Sequence, residues 1–229
     1  FGSRIGGGKD AASPRYIHAV LNRKIVSLIF PKADYTLLSF NFDEGERTEP
    51  KYFVPIIPMA VVESTEIPAH GWKLKLWGRD IFSVIENVRR LIRVSDTVEL
   101  FKMPPARLKD SLYEWKGRFV TIRGNMYSIG KYYYNESQNT IVITELPLRV
   151  WTNTYIEFLK KKLALDSPLI QSYTNKSNDI SIKIEIVLKP GAINKLELMN
   201  DLCFTDGIEE YFQLRDRMDS HINLMGTEN

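Results

Sequence analysis

The sequence predicts an α+β fold, with a helical, proline-interrupted first part followed by a region of alternating strands. Three observations carry this. Apolar residues recur at helical spacing over 17–29 and again over 81–92, prolines stand at 50, 55 and 58, and the apolar period changes from 3.6 to 2 after about residue 100. A chain of 229 residues can bury one large core or two smaller ones. Its hydrophobic fraction of 44% argues for folded structure throughout. A net charge of +3 permits a polyanionic partner without requiring one. Cys203 is the single cysteine, which excludes an internal disulfide and fits a reducing compartment. With no apolar run long enough to span a bilayer and no signal-peptide pattern, a soluble intracellular protein is expected. The chain opens without Met and inside a motif, so it reads as a piece excised from a longer polypeptide.

The first eighteen residues organise the rest. Gly6-Gly7-Gly8 form a flexible turn, Lys9 is a cation, a helix is expected to start between Asp10 and Pro14, and Arg15-Tyr16 follow at once. These are the parts of a phosphate site holding a nucleophile. Glycines let backbone approach phosphate, the N–H groups that open a helix are unsatisfied donors, and Arg4, Lys9 and Arg15 add full charges. A phenol ionises far above neutral pH, so a tyrosine that attacks a phosphodiester needs a cation beside it. Arg15 is placed to be that cation.

From Tyr16 to Phe30, Ile17, Val20, Leu21, Ile25, Leu28 and Ile29 predict a helix, which Pro31 stops. Arg23 and Lys24 lie on its polar side, as surface charge or phosphate contacts. His18 fits a proton carrier, a structural role or a DNA contact, and no second His, Cys or carboxylate stands at metal-ligand spacing from it. Pro50, Pro55 and Pro58 enforce an extended path over 50–58. A second amphipathic helix spans Asp80 to Arg93, with Ile81, Val84, Ile85, Val88, Leu91 and Ile92 inward and Arg89, Arg90 and Arg93 outward. Strands are expected at Phe119–Arg123, Met126–Gly130, Thr140–Thr144 and Ile180–Ile186, with a turn at Asn135–Asn139. A helix carrying Lys160-Lys161-Lys162 spans Trp151 to Leu165.

The string Gly2-Ser3-Arg4, Gly7-Gly8-Lys9-Asp10-Ala11-Ala12-Ser13 and Arg15-Tyr16-Ile17 closely resembles the active-site segment of the type IIA DNA topoisomerases, in their eukaryotic topoisomerase II branch. Further strings share the likeness: Glu49-Pro50-Lys51-Tyr52 with Pro55-Ile56-Ile57-Pro58-Met59, Tyr113-Glu114-Trp115-Lys116-Gly117, Ile143-Thr144-Glu145-Leu146-Pro147 with Val150-Trp151-Thr152, and Phe212-Gln213-Leu214 with His221–Met225. It implies the C-terminal part of a winged-helix domain over residues 1–76 and a mixed tower domain over 77–229. It also implies that Tyr16 forms a 5′-phosphotyrosyl bond with cleaved double-stranded DNA, and that Arg15 is its electrostatic partner. Arg4, Lys9, His18 and Arg23 would contact DNA. Where relatives carry a glycine-rich loop whose isoleucine wedges between base pairs, this chain reads Glu63 to Trp72. Alignment on Gly71-Trp72 puts Pro68 at the wedge, with Ile67 beside it. That departure suggests a distant branch, of the asfarvirus type found in large cytoplasmic DNA viruses.

The resemblance further implies a homodimer, Mg2+ at the scissile phosphate and ATP-driven strand passage. The metal-binding Toprim string and the ATPase are absent from these 229 residues, so the piece alone should not cleave DNA. The implied location is host cytoplasm if viral and nucleus if cellular. The competing expectation is a non-enzymatic DNA-binding module, in which Tyr16 would be replaceable by Phe.

Overall fold

The computed structural model describes residues 2–62, 65–69, 72–93, 115–165, 168–203 and 206–218, the side chains of 65–69, 72–73 and 200–203 excepted. The chain divides into two compact units, one built from Phe1–Ile17 with Asp110–Asp219, the other from His18–Lys109 with Ser220–Asn229.

In the unit that begins at His18, the expected helix is much shorter than its periodicity. Helix α1 spans Arg23–Ile29, and the Asn22 side chain caps it by accepting the Ile25 N–H at 3.3 Å. Residues 17–22 are not helical, and Val20 stands 96% exposed. A 3₁₀ turn follows at Lys32–Leu37. Strands β1 (Phe40–Asp43) and β2 (Glu46–Pro50) then form a hairpin that the sequence did not announce. Its turn, Glu44-Gly45, has φ of 49° and 88°, the mirror-image geometry that suits a right-twisted strand pair. Pro50 ends β2, and the stretch beyond it stays extended as its prolines require, held to α1 by the Ile56 N–H on the Ile29 carbonyl at 3.0 Å.

Next come β3 (Thr65–Ala69) and β4 (Trp72–Leu76), an antiparallel pair, and helix α2 (Ile81–Arg93). The helix matches its expected span, but its inward face is narrower. Val84 is buried and Ile85 and Val88 are half-buried, whereas Ile81, Leu91 and Ile92 are exposed. The core here is small, with Ile57, Val62 and Val84 buried, beside an aromatic group in which Phe53 meets the Phe30 and Tyr35 rings edge-on.

The other unit carries the large core. Strands β5 (Arg118–Ile122) and β6 (Asn125–Ile129) are joined by Arg123-Gly124, again with both φ positive at 49° and 77°. Then come β7 (Lys131–Asn135), β8 (Thr140–Glu145), helix α3 (Thr152–Leu163), β9 (Ile170–Asn175), β10 (Ile184–Leu188), helices α4 (Ala192–Cys203) and α5 (Gly207–Tyr211), and β11 (Arg215–Arg217). Two antiparallel sheets result, ordered β7-β8-β10-β9 and β11-β6-β5. The strand expected at Ile180 begins instead at Ile184, because Asn178 Oδ1 accepts the N–H groups of Ile180 and Ser181 and turns the backbone there. From Ile182 onward the alternation works as expected. Ile182, Ile184, Ile186 and Leu188 enter the core, while Glu185 on the wet face meets Lys176 at 2.6 Å and Lys183 at 3.5 Å. Tyr155, Leu159, Leu196, Phe212 and Leu214 complete that core, and the buried Tyr155 hydroxyl donates to the Phe212 carbonyl at 2.8 Å. Tyr113, Glu114 and His221–Met225 lie outside the described residues.

Candidate active-site strap

The glycine-rich segment is not an open phosphate nest. Its amides are spent on itself: Gly7 and Gly8 donate to the Ser3 carbonyl at 3.0 and 3.4 Å, Lys9 donates to Gly6 at 3.3 Å, and Gly6 reaches the Ser3 hydroxyl at 3.4 Å. Asp10 closes the turn. Its carboxylate accepts the Ser3 N–H at 3.0 and 3.1 Å and the Ser3 hydroxyl as well. The Ser3 hydroxyl, and after it the Ser3 amide, hold the Asp10 carboxyl below the usual carboxylate range.

Arg4 corrects an expectation. Its guanidinium is buried and ion-paired with the buried Glu145 carboxylate of β8, so it does not reach out to DNA phosphate. Glu145 is satisfied on all sides, since it also accepts the N–H groups of Lys116 at 3.1 Å and Leu146 at 2.9 Å. Removing one partner of such a pair leaves the other charge buried, at a cost of about 3–5 kcal/mol.

Three further contacts fasten the same segment. The Arg4 N–H donates to the Asp179 carbonyl at 3.0 Å, and the Ile5 carbonyl accepts the Asn153 N–H at 3.1 Å. Asn153 lies in the first turn of α3, whose cap residue Trp151 offers no side-chain bond, so the Ile5 carbonyl takes one of the helix's open donors. Gly7, at φ +64°, lies against the Trp151 indole so closely that a Cβ there would overlap the ring. Residues 2–10 therefore form a strap sewn onto the sheet unit.

Beyond the strap, Pro14–Tyr16 form one 3₁₀ turn instead of the start of a long helix, with the Tyr16 N–H on the Ser13 carbonyl at 2.9 Å. Tyr16 is 69% exposed, and the Arg15 guanidinium carbon stands 5.0 Å from the centre of its ring. An exposed phenol with a cation beside it can receive a phosphodiester and stabilise the negative charge that develops during attack. Lys9 is exposed on the same segment.

His18, Arg23, Ile67 and Pro68 belong to the other unit. His18 is exposed, and Arg23 is the exposed first residue of α1. The segment that carries the expected wedge forms paired strands, with Ile67 opposite Leu74 and Pro68 opposite Lys73. Proline has no N–H to give a ladder, and a two-stranded edge tolerates it. His70 and Gly71 lie outside the described residues. Among the described residues no three His, Cys, Asp or Glu side chains gather as a metal site, so the residues present do not fit Mg2+.

Sequence reading passed over Asp10, Glu145, Trp151 and Asn153 as functional supports. A signal did exist. The strings that carry the family likeness, around residues 2–13, 115–117, 143–147 and 150–152, converge on this one junction, where Trp115 Nε1 also donates to the Leu146 carbonyl at 2.8 Å.

A family model for the A-type chain of DNA gyrase/topoisomerase IV matches residues 1–225. DNA topoisomerase 2 of African swine fever virus (isolate Tick/Malawi/Lil 20-1/1983) is 36% identical over 98% of this chain and 20% of its own length. DNA topoisomerase 2-beta of Mus musculus is 34% identical over 81% of this chain and 11% of its own. Among solved structures, the Plasmodium falciparum topoisomerase II DNA-binding, cleavage and re-ligation domain superposes with a TM-score of 0.74 at 30% identity, covering 95% of this chain and 28% of that one. The chain thus spans about a fifth of the length of the viral relatives it matches.

Proposed function

This chain belongs to the type II DNA topoisomerase family, and on that premise we propose that it is the breakage-and-rejoining region of a DNA topoisomerase II, working within a longer polypeptide. The observation that carries the reading is the exposed Tyr16, on a turn led by an anchored strap, with the Arg15 guanidinium 5.0 Å from its ring. The Tyr16 oxygen attacks the scissile phosphorus as it gives up its proton. The new bond joins Tyr16 to the 5′-phosphate, the bond to the 3′-oxygen breaks, and that oxygen takes a proton. Arg15 stabilises the charge on the five-coordinate phosphorus. Reversal of the same steps reseals the strand, because the bond energy is kept in the phosphotyrosyl link.

Two copies of Tyr16, one from each protomer of a homodimer, open both strands of a duplex so that a second duplex can pass. Lys9, His18 and Arg23 contact the DNA backbone, and Pro68 or its neighbour Ile67 kinks the duplex. Magnesium and ATP are held by other parts of the polypeptide. In family terms residues 1–76 complete a winged-helix domain and 77–229 form the tower, a partition by resemblance that differs from the two compact units, which put the strap with the sheets and α2 with the other unit. Apolar side chains such as Val20, Leu37 and Phe42, exposed within this chain, supply surface for the remainder of the polypeptide to cover. Likeness to the swine fever virus enzyme favours host cytoplasm as the site of action, and a cellular source would place it in the nucleus.

The test uses the full-length polypeptide, wild type beside Tyr16→Phe, with supercoiled plasmid, magnesium and ATP, stopped with detergent. Protein covalently attached to linear DNA in the wild type alone is expected. Equal relaxation by both proteins would return the chain to the class of non-enzymatic DNA-binding modules.

A further inference from the structure

The strap does something that an active-site loop on a free linker could not. Within residues 3–10 the backbone bonds to itself through Ser3, Gly6 and Asp10, and it is fixed to the sheet unit at Glu145, Asp179, Asn153 and Trp151. Tyr16 follows Asp10 on a leash of at most about 20 Å. We propose that the buried Arg4–Glu145 pair is the positioning device for the nucleophile: it locks the strap, and through it the Arg15-Tyr16 turn, to the sheet unit. Arg4 acts through Tyr16 and does not touch DNA. The inference rests on the reading of Tyr16 as nucleophile.

Burial argues for this division of labour. A guanidinium used for phosphate contact stands in solvent, as Arg15 does, whereas Arg4 is closed off and its charge is answered by a carboxylate that also gathers two backbone N–H groups. Fork-shaped recognition of a carboxylate is the geometry in which arginine fixes orientation as well as charge. Displacing a reacting group by about 1 Å can cost on the order of a hundredfold in rate, so an anchor at the far end of the strap has leverage over the chemistry.

The experiment uses the full-length polypeptide with Arg4→Met, Glu145→Gln, the double variant, Arg4→Lys and Asn153→Pro. The last removes the N–H that holds Ile5, at a first-turn helix position where proline is tolerated and without disturbing a charge. Covalent complex yield, DNA affinity across a salt series and hydrogen exchange of residues 3–16 are measured well below each variant's melting temperature. Arg4→Met and Glu145→Gln are each expected to lower covalent complex about 10- to 100-fold with DNA affinity unchanged within about twofold. The double variant should be no worse than either single one, Arg4→Lys should recover part of the loss, and Asn153→Pro should loosen the strap and lower cleavage in the same sense.

Two outcomes overturn the proposal. In one, Arg4→Met weakens DNA binding and lowers its salt slope by about 0.9, the mark of one lost phosphate contact, while Glu145→Gln does not. In the other, cleavage per folded molecule stays at the wild-type level although the strap exchanges freely. A wild type that forms no Tyr16-dependent covalent complex would remove the functional reading instead, and the exchange data would still report whether the pair holds the strap.

Discussion

Alanine at Gly7 and alanine at Gly8 form a matched pair that isolates the contact between strap and helix. Both glycines sit in the left-handed region, at φ +64° and +85°, so either substitution carries the backbone penalty of about 1–2 kcal/mol. A Cβ at Gly8 would point into open space, whereas one at Gly7 would overlap the Trp151 indole, a rigid group that cannot fold away like the end of a lysine. Overpacking of that kind costs about 1–3 kcal/mol more, and the extra cost should appear first as undocking of the strap, since lifting residues 2–10 relieves the overlap without opening the core. Hydrogen exchange at the Gly7 and Gly8 amides, which both bond the Ser3 carbonyl, reads that opening directly. Protection should fall about 5- to 150-fold further in Gly7→Ala than in Gly8→Ala. In a Trp151→Ala background the two variants should converge. Equal loss of protection in the original background would refute the claim that Trp151 seats the strap.

Three more outcomes follow from the same contacts. Tyr155→Phe deletes the hydroxyl that satisfies the buried Phe212 carbonyl, and should lower the stability of the sheet unit by about 1–3 kcal/mol in urea denaturation; an unchanged midpoint would mean that the carbonyl is otherwise satisfied. Because Asp10 titrates below its ordinary value of 3.8 in the folded chain, its contribution is complete above that pH and is lost as pH falls through the lower folded value, so strap protection should hold at pH 5 and decline only in stronger acid. Asp10→Asn should weaken the strap at neutral pH and abolish that acid limb in amide exchange. In a fluorescence assay of duplex bending by the full-length polypeptide, Pro68→Ala should straighten the DNA more than Ile67→Ala, and bending unaffected by both would remove the wedge from this hairpin.

The sequence was most informative where packing and local period agree. Helices Ile81–Arg93 and Thr152–Leu163 and strands Arg118–Ile122, Asn125–Ile129 and Thr140–Glu145 lie close to their expected spans, because each buries a stripe against a partner within the chain. The region 17–29 misled for the complementary reason. Its apolar spacing records a face that meets little apolar surface here, and Asn22 fixes the start of the helix by capping, a local hydrogen bond that periodicity does not register. Strand Lys131–Asn135 escaped because three successive tyrosines show no alternation, although the middle one is exposed and its neighbours are half-buried. At the site, Arg15-Tyr16 was legible as adjacent residues of a known string. The partnership of Arg4 with Glu145 was not, since charge pairing between distant segments leaves no period or spacing to read. The glycines misled in the same way: their φ values were foreseeable as turn chemistry, but the indole that occupies the missing side-chain space comes from residue 151.

The pairing of Arg4 with Glu145 also sets a schedule. The two residues are 141 positions apart, and at a synthesis rate of about 5–20 residues per second the first waits about 7–30 s for the second to be made. For that interval a nascent chain already displays its tyrosine but has nothing to fasten it to. Any product that stops short of residue 145 keeps the reactive phenol and never acquires the clasp. Reactivity toward DNA is thereby tied to the completion of translation, because the part of the chain made first is the part held last.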